Sequence, residues 1–209
     1  MRSVILKRLL LAAALALPLA AQSTATYQIV FLRPAPDRKA VPKEEMDRIL
    51  AAHMANIQGM ADRGVLVGAG PFGDTPTTIS GIFVMNTSRE EALRIASEDP
   101  TVTAHRNTVD AMTWTGPKGV GEEYKRLHAA DPKTPDDMGV HPFVLLRSAP
   151  ATLPKDVAAS GPLTGNPEFR YLVIFNRIPD DEAKRLIDPV LKPEFHRWYS
   201  AAHILPGKN

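Results

Sequence analysis

The stretch ILAAHMANIQG, residues 49–59, sets a histidine in an otherwise apolar helical pattern. His53 follows Ile49 by four residues and precedes Ile57 by four, so the three project from one side of a helix. Imidazole is the side chain whose ordinary titration lies nearest neutral pH, and a well-held one can take up and return a proton. The same ring can equally be a packed core residue bonded to a backbone carbonyl, because an unpaired buried polar group costs about 1–3 kcal/mol. Spacing alone leaves both readings open.

Other chemistries find little support in the residue types. The chain has no cysteine, which removes thiol nucleophiles and thiolate metal sites. Its histidines, His53, His105, His128, His141, His196 and His203, show no close spacing with carboxylates that reads as a ligand set. G-x-S-x-G, a phosphate loop and a dinucleotide fingerprint are all missing. No metal and no cofactor is expected.

The elements around His53 follow from periodicity. YQIVFLRPAP, from Tyr27, alternates and is rich in β-formers, predicting a strand that stops at Pro34 and Pro36. Met46, Ile49, Leu50, Ile57 and Met60 predict a helix over 43–63 whose apolar stripe faces a sheet, with Gly64 closing it. VLVGAGPF and ISGIFVMN read as strands, and Ser88 with Glu91 forms a capping box that opens a helix ended by Pro100. A strand around Val109 to Trp114 completes a β-α-β-β-α-β order. Asp99 then falls at the C-terminus of the second helix, where a carboxylate opposes the dipole and needs compensation. It is either a solvated Asp-Pro stop or a group with a partner elsewhere.

The second half echoes the first in the same order. FVLLRSAP at 143–150 matches IVFLRPAP at 29–36, SGPL at 160–163 matches AGPF at 69–72, and RYLVIFNRIPDDEAKRLIDP answers SGIFVMNTSREEALRIASEDP. An internal duplication is the simplest explanation. Copy two, however, has only ATLPKDVAAS, broken by Pro154, where copy one has its first helix. It therefore lacks a counterpart of His53. Residues 117–141, rich in Gly, Pro and charge, predict a linker with a helical turn or two around Glu122 to Ala129. Phe195, Trp198 and Tyr199 are expected in the core of copy two or the seam between copies.

Residues 1–21 read as a secretory signal peptide: Arg2, Lys7 and Arg8 precede a short apolar run that turns polar at Gln22. Cleavage is expected after Ala21, with Ala25 as the alternative, giving a periplasmic or secreted protein. The apolar run is shorter than the roughly 20 residues a membrane span needs, so no membrane association is expected. Three of the 25 basic residues leave with the leader, so 22 basic face 23 acidic ones, interspersed rather than striped. That pattern excludes a nucleic-acid surface. Without disulfides the exported fold must stand on its hydrophobic core.

The first copy resembles the YCII-related family. VFLRPAPD, LAAHMANIQGMADRG, the VGAGPF turn and EEALRIASEDP occur in the family's order, well over 27–115 and weakly over 142–206. The resemblance implies an α+β fold: a ferredoxin-like unit of the dimeric α+β barrel kind at 22–116, the linker at 117–141, and a degenerate copy lacking its first helix at 142–209. The two would pack as an intramolecular pseudo-dimer, the whole being a monomer or a homodimer. It also implies a histidine and aspartate pair at His53 and Asp99. In that reading Asp99 holds one ring nitrogen and frees the other for proton transfer. Arg33, matched by Arg147 in copy two, is then the candidate to bind a substrate carboxylate, and His105 the candidate to line the same cleft; both are alternatively solvated surface residues. Two functions follow as expectations. One is acid/base catalysis of an isomerisation, elimination or lactone reaction on a small organic molecule. The other is a non-catalytic pseudo-dimer that binds a small ligand or a protein.

Overall fold

A computed structural model describes residues 23–131, 133 and 137–206, so the expected leader at 1–21 lies outside the described residues. The fold is α+β: eight antiparallel strands form one nearly closed sheet in the order β2-β3-β1-β4-β6-β7-β5-β8. In chain order these are β1 (Thr24–Pro34), α1 (Lys43–Asp62), β2 (Leu66–Pro71), β3 (Gly81–Met85), α2 (Arg89–Ser97), α3 (Pro100–Thr103), β4 (Asn107–Pro117) and α4 (Glu122–Ala130). Then follow β5 (Met138–Leu146), β6 (Val157–Thr164), β7 (Tyr171–Phe175), α5 (Asp180–Leu186), a 3-10 turn (Pro189–Leu191) and β8 (Glu194–Ala201).

The two halves share one internal order, β2-β3-β1-β4 against β6-β7-β5-β8, and each carries a register shift at the same place, Leu66/Gly68 and Val157/Ala159. Two seams join them. Trp114 pairs with Leu163 between β4 and β6, and Trp198 pairs with Phe72 between β8 and the end of β2. Leu163 and Phe72 are equivalent positions in the repeated SGPL and AGPF, so the seams are equivalent too.

Strand alternation divides the apolar residues between two sides of this barrel. Tyr27, Ile29 and Phe31, with Ile82, Val84, Met112 and Trp114, meet Phe143, Leu145, Leu172, Ile174 and Trp198 in one interior core built from both halves. Val30, Leu32, Phe83, Met85 and Ala111 turn outward under α1 and α2, and Val144, Leu146, Val173 and Phe175 do so under α5. Both faces of the central strands are thus buried, and each large side chain so buried contributes about 1.5–3 kcal/mol.

Three features depart from the sequence expectation. Of the apolar stripe of α1 only Met60 is fully buried, while Leu50 is 46% exposed and Met54, outside the stripe, 60%, so the helix rests on the sheet by its C-terminal half. The stretch 117–141 holds the helix expected around Glu122 to Ala129, as α4, but its two ends are not linker: β4 extends to Pro117 against Thr24, β5 begins at Met138 against Ala201, and buried Val120 donates its N–H to the Tyr27 hydroxyl. Strand partners at the barrel's end recruit a stretch whose composition reads as loop. Finally, α2 ends at Ser97, and Asp99 instead caps the N-terminus of α3, with Pro100 in its first turn. The carboxylate therefore lies on the favourable side of a helix dipole.

Candidate functional site

The first site grows from that cap. Asp99 Oδ1 accepts the backbone N–H of Thr101 at 2.9 Å and its hydroxyl at 2.6 Å. Oδ2 accepts Nδ1 of His53 at 2.8 Å and the side-chain amide of Asn56 at 2.9 Å. His53 and Asn56 stand three residues apart on α1 and reach down together on one face. The network continues inward as Asn107 donates to the Thr101 hydroxyl at 3.0 Å and Ser80 donates to Asn107 at 2.8 Å.

Asp99 is fully buried. Burial alone would push its carboxyl up, but hydrogen bonds from His53, Thr101 and Asn56 outweigh it and hold the group below the usual carboxylate range. An ionised Asp99 accepts, so Nδ1 of His53 carries the hydrogen and Nε2 is left as the acceptor of the neutral ring. Nε2 makes no hydrogen bond among the described residues, and the side chain, stacked on Phe83 at 5.9 Å, is 18% exposed. An oriented imidazole with one open nitrogen is chemically a general acid/base.

The other candidates are not brought to this ring. Arg33 lies beyond Phe31 on the barrel-facing side of β1, whereas His53 packs on the outward side through Phe83. The guanidinium stacks on Phe31 at 5.3 Å and pairs with Asp110 at 2.7 Å. Arg147 repeats the arrangement, stacked on Phe169 and paired with Glu168. His105 is exposed in a left-handed turn at φ 53° after α3, and its ring has no hydrogen bond among the described residues. In the second half, Asp188 caps the 3-10 turn through Val190 N–H at 2.9 Å, which makes the Asp-Pro step a capping device in both halves. With no first helix above it, Asp188 stays exposed.

Sequence reading missed a second buried cluster at a seam. His196 is nearly fully buried; its Nδ1 lies 2.6 Å from Asp74 and its Nε2 2.9 Å from Glu194. The other oxygen of Asp74 accepts the backbone N–H of Arg197 at 2.9 Å. Asp74 belongs to the first half and His196 to the second, 122 residues apart, so no local spacing could have announced them. With both nitrogens engaged the ring is a latch rather than a catalyst. Asp74→Ala is expected to lower unfolding free energy by about 3 kcal/mol, since it leaves a buried ring nitrogen and a backbone N–H unpaired. Glu194→Gln, whose carboxylate is 41% exposed, should cost less than about 1 kcal/mol. Denaturant midpoints at unchanged slope would measure both; equal losses would contradict the latch.

An open groove of about 1260 Å³ lies at the end of the barrel where β1 and β5 begin and β4, β7 and β8 end. Its lining includes His141 and Arg177. No group of three or more His, Asp or Glu among the described residues is placed to hold a metal ion, and no described helix is long and apolar enough to cross a membrane.

Compared with protein-family models, with curated proteins and with solved structures, the chain gives no significant match.

Proposed function

We propose that the chain is an exported, YCII-like protein in which two ferredoxin-like units, the second without its first helix, form an intramolecular pseudo-dimer with a single acid/base site at His53. The site would move a proton on a small organic molecule, in an isomerisation, elimination or lactone reaction. The observation that carries this reading is the 2.8 Å bond from His53 Nδ1 to Asp99, which fixes the tautomer and leaves Nε2 open. Shared strand order and equivalent seams support the pseudo-dimer. Cleavage after Ala21 would leave β1 whole, whereas cleavage after Ala25 would remove its first two residues.

The test is deuterium incorporation from D₂O at the acidic C–H of small unsaturated lactones and 2-oxo acids, followed by proton NMR. The protein should accelerate exchange saturably for at least one of them, and His53→Gln should slow it by about a hundredfold. Exchange as fast in His53→Gln as in the parent would sink the assignment.

A second reading, a non-catalytic pseudo-dimer that binds a small ligand or protein, is favoured by one observation. The Asp-Pro cap recurs at Asp188 without a histidine, so capping alone is a sufficient reason for Asp99. Failure of every carbon acid to exchange would favour it.

A further inference from the structure

The groove at the barrel's end contains a polar atom that the fold leaves unused. His141, on β5, is 8% exposed and lines the groove, opposite Trp198 in the ladder, with the two rings 6.1 Å apart. Its Nδ1 is 2.8 Å from the carbonyl oxygen of Phe175, which can only accept, so Nδ1 carries the hydrogen. Nε2 makes no hydrogen bond among the described residues. The atom keeps some accessible surface. In the neutral ring it is an acceptor awaiting a donor.

Arg177, which follows β7, lines the same groove with its guanidinium stem lying across Gly139, where even a Cβ would come within 2.0 Å of Nε. It makes no ion pair among the described residues, its one hydrogen bond being a long 3.4 Å contact to the carbonyl of Asp137. A fork that can take a carboxylate in two bonds is therefore available beside a lone acceptor. The other titratable groups of the rim, Lys118, Glu122, Glu123, Arg126, Asp137 and His203, mix both signs and so add no general pull on anions.

We propose that this groove binds a small hydroxycarboxylate, with its carboxylate held by Arg177 and its hydroxyl donating to Nε2 of His141. The two contacts demand both groups on one ligand: a simple carboxylate leaves the ring unsatisfied, and a diol leaves the guanidinium unsatisfied. Burial first, and the charge of Arg177 as well, push His141 below its ordinary value despite the Phe175 bond, which keeps the ring in the accepting form. The site lies on the second half and uses neither His53 nor Asp99.

The test is nitrogen NMR of the histidine rings of the full protein during titration with lactate, acetate and propane-1,2-diol. Lactate should move the His141 Nε2 resonance saturably, with acetate and the diol binding at least tenfold more weakly. Arg177→Gln, an exposed change that should fold normally, should weaken lactate about tenfold, a loss of about 1.4 kcal/mol. His141→Gln, checked for native tryptophan fluorescence, should abolish the preference for lactate over acetate. His53→Gln should leave all of this unchanged, which separates the groove from the His53 site. An unsaturable response, equal binding of lactate and acetate, or undiminished binding by Arg177→Gln would each overturn the proposal.

Discussion

Asp99→Ala is expected to destabilise the protein by about 3–5 kcal/mol, the range for breaking one partner out of a buried charged network. Alanine removes a fully buried acceptor of four groups at once: the Nδ1–H of His53, the amide of Asn56, and the backbone N–H and hydroxyl of Thr101. It also deletes the cap of α3, itself worth about 1 kcal/mol. Asp99→Asn keeps the shape but turns an amide donor toward donors, so it should also destabilise. Chemical denaturation of both variants would measure the effect, and a loss below about 1 kcal/mol for the alanine variant would contradict the network.

The pH dependence has a definite sign. The folded carboxyl titrates below its unfolded value, so the folded state releases this proton more readily than the unfolded state does. The stability Asp99 contributes is fully present above the unfolded pKa of about 3.9 and is lost as pH falls through the depressed folded value. The gap between parent and Asp99→Asn should therefore be widest near neutrality and narrow in acid. His53 supplies an independent readout: nitrogen NMR should find the Nδ1–H tautomer in the parent and a tautomer mixture in Asp99→Asn.

Gly70→Ala and Gly161→Ala should each cost more than about 3 kcal/mol, at the upper end for overpacking, because the obstruction is backbone and cannot swing away. A Cβ at Gly70 would stand 1.8 Å from the carbonyl oxygen of Tyr199, and one at Gly161 1.8 Å from that of Thr115. Each clash falls between halves, one at each seam, and can be relieved only by parting the strands that close the barrel. The indole nitrogens of Trp198 and Trp114 lie 2.9 and 3.2 Å from those same positions, so tryptophan emission should shift as the seams open. Gly59→Ala is the control. It lies within α1 with nothing nearer than the Arg63 side chain at 3.5 Å, and should stabilise by about 0.5–1 kcal/mol through reduced unfolded-state entropy. Seam variants as stable as the parent would mean the halves do not depend on this closure.

Much of the fold was legible because periodicity reports local geometry. Alternation in YQIVFLRPAP specified a strand, the spacing from Met46 to Met60 specified a helix observed at Lys43–Asp62, and Ser88 with Glu91 marked the start of α2. The matching segments of the two halves likewise foretold one strand order in both, and no helix lies between β5 and β6, where ATLPKDVAAS is broken by Pro154. Asp99 was misread locally: proline at 100 ends one helix, but it also begins the next, and sequence spacing does not tell the two apart.

What only the tertiary structure decided were the encounters between distant residues. That Arg33 and His53 lie on opposite sides of one sheet follows from which face of β1 the helices cover, a choice made by packing. His141 and His196 were weighed in the sequence only as metal ligands, and Arg177 and Asp74 drew no notice, because each becomes special through a neighbour from another strand or from the other half. Periodicity determines what an element is and which side it can bury. Sheet closure determines which polar groups are left facing one another, because those neighbours come from strands far apart in the chain.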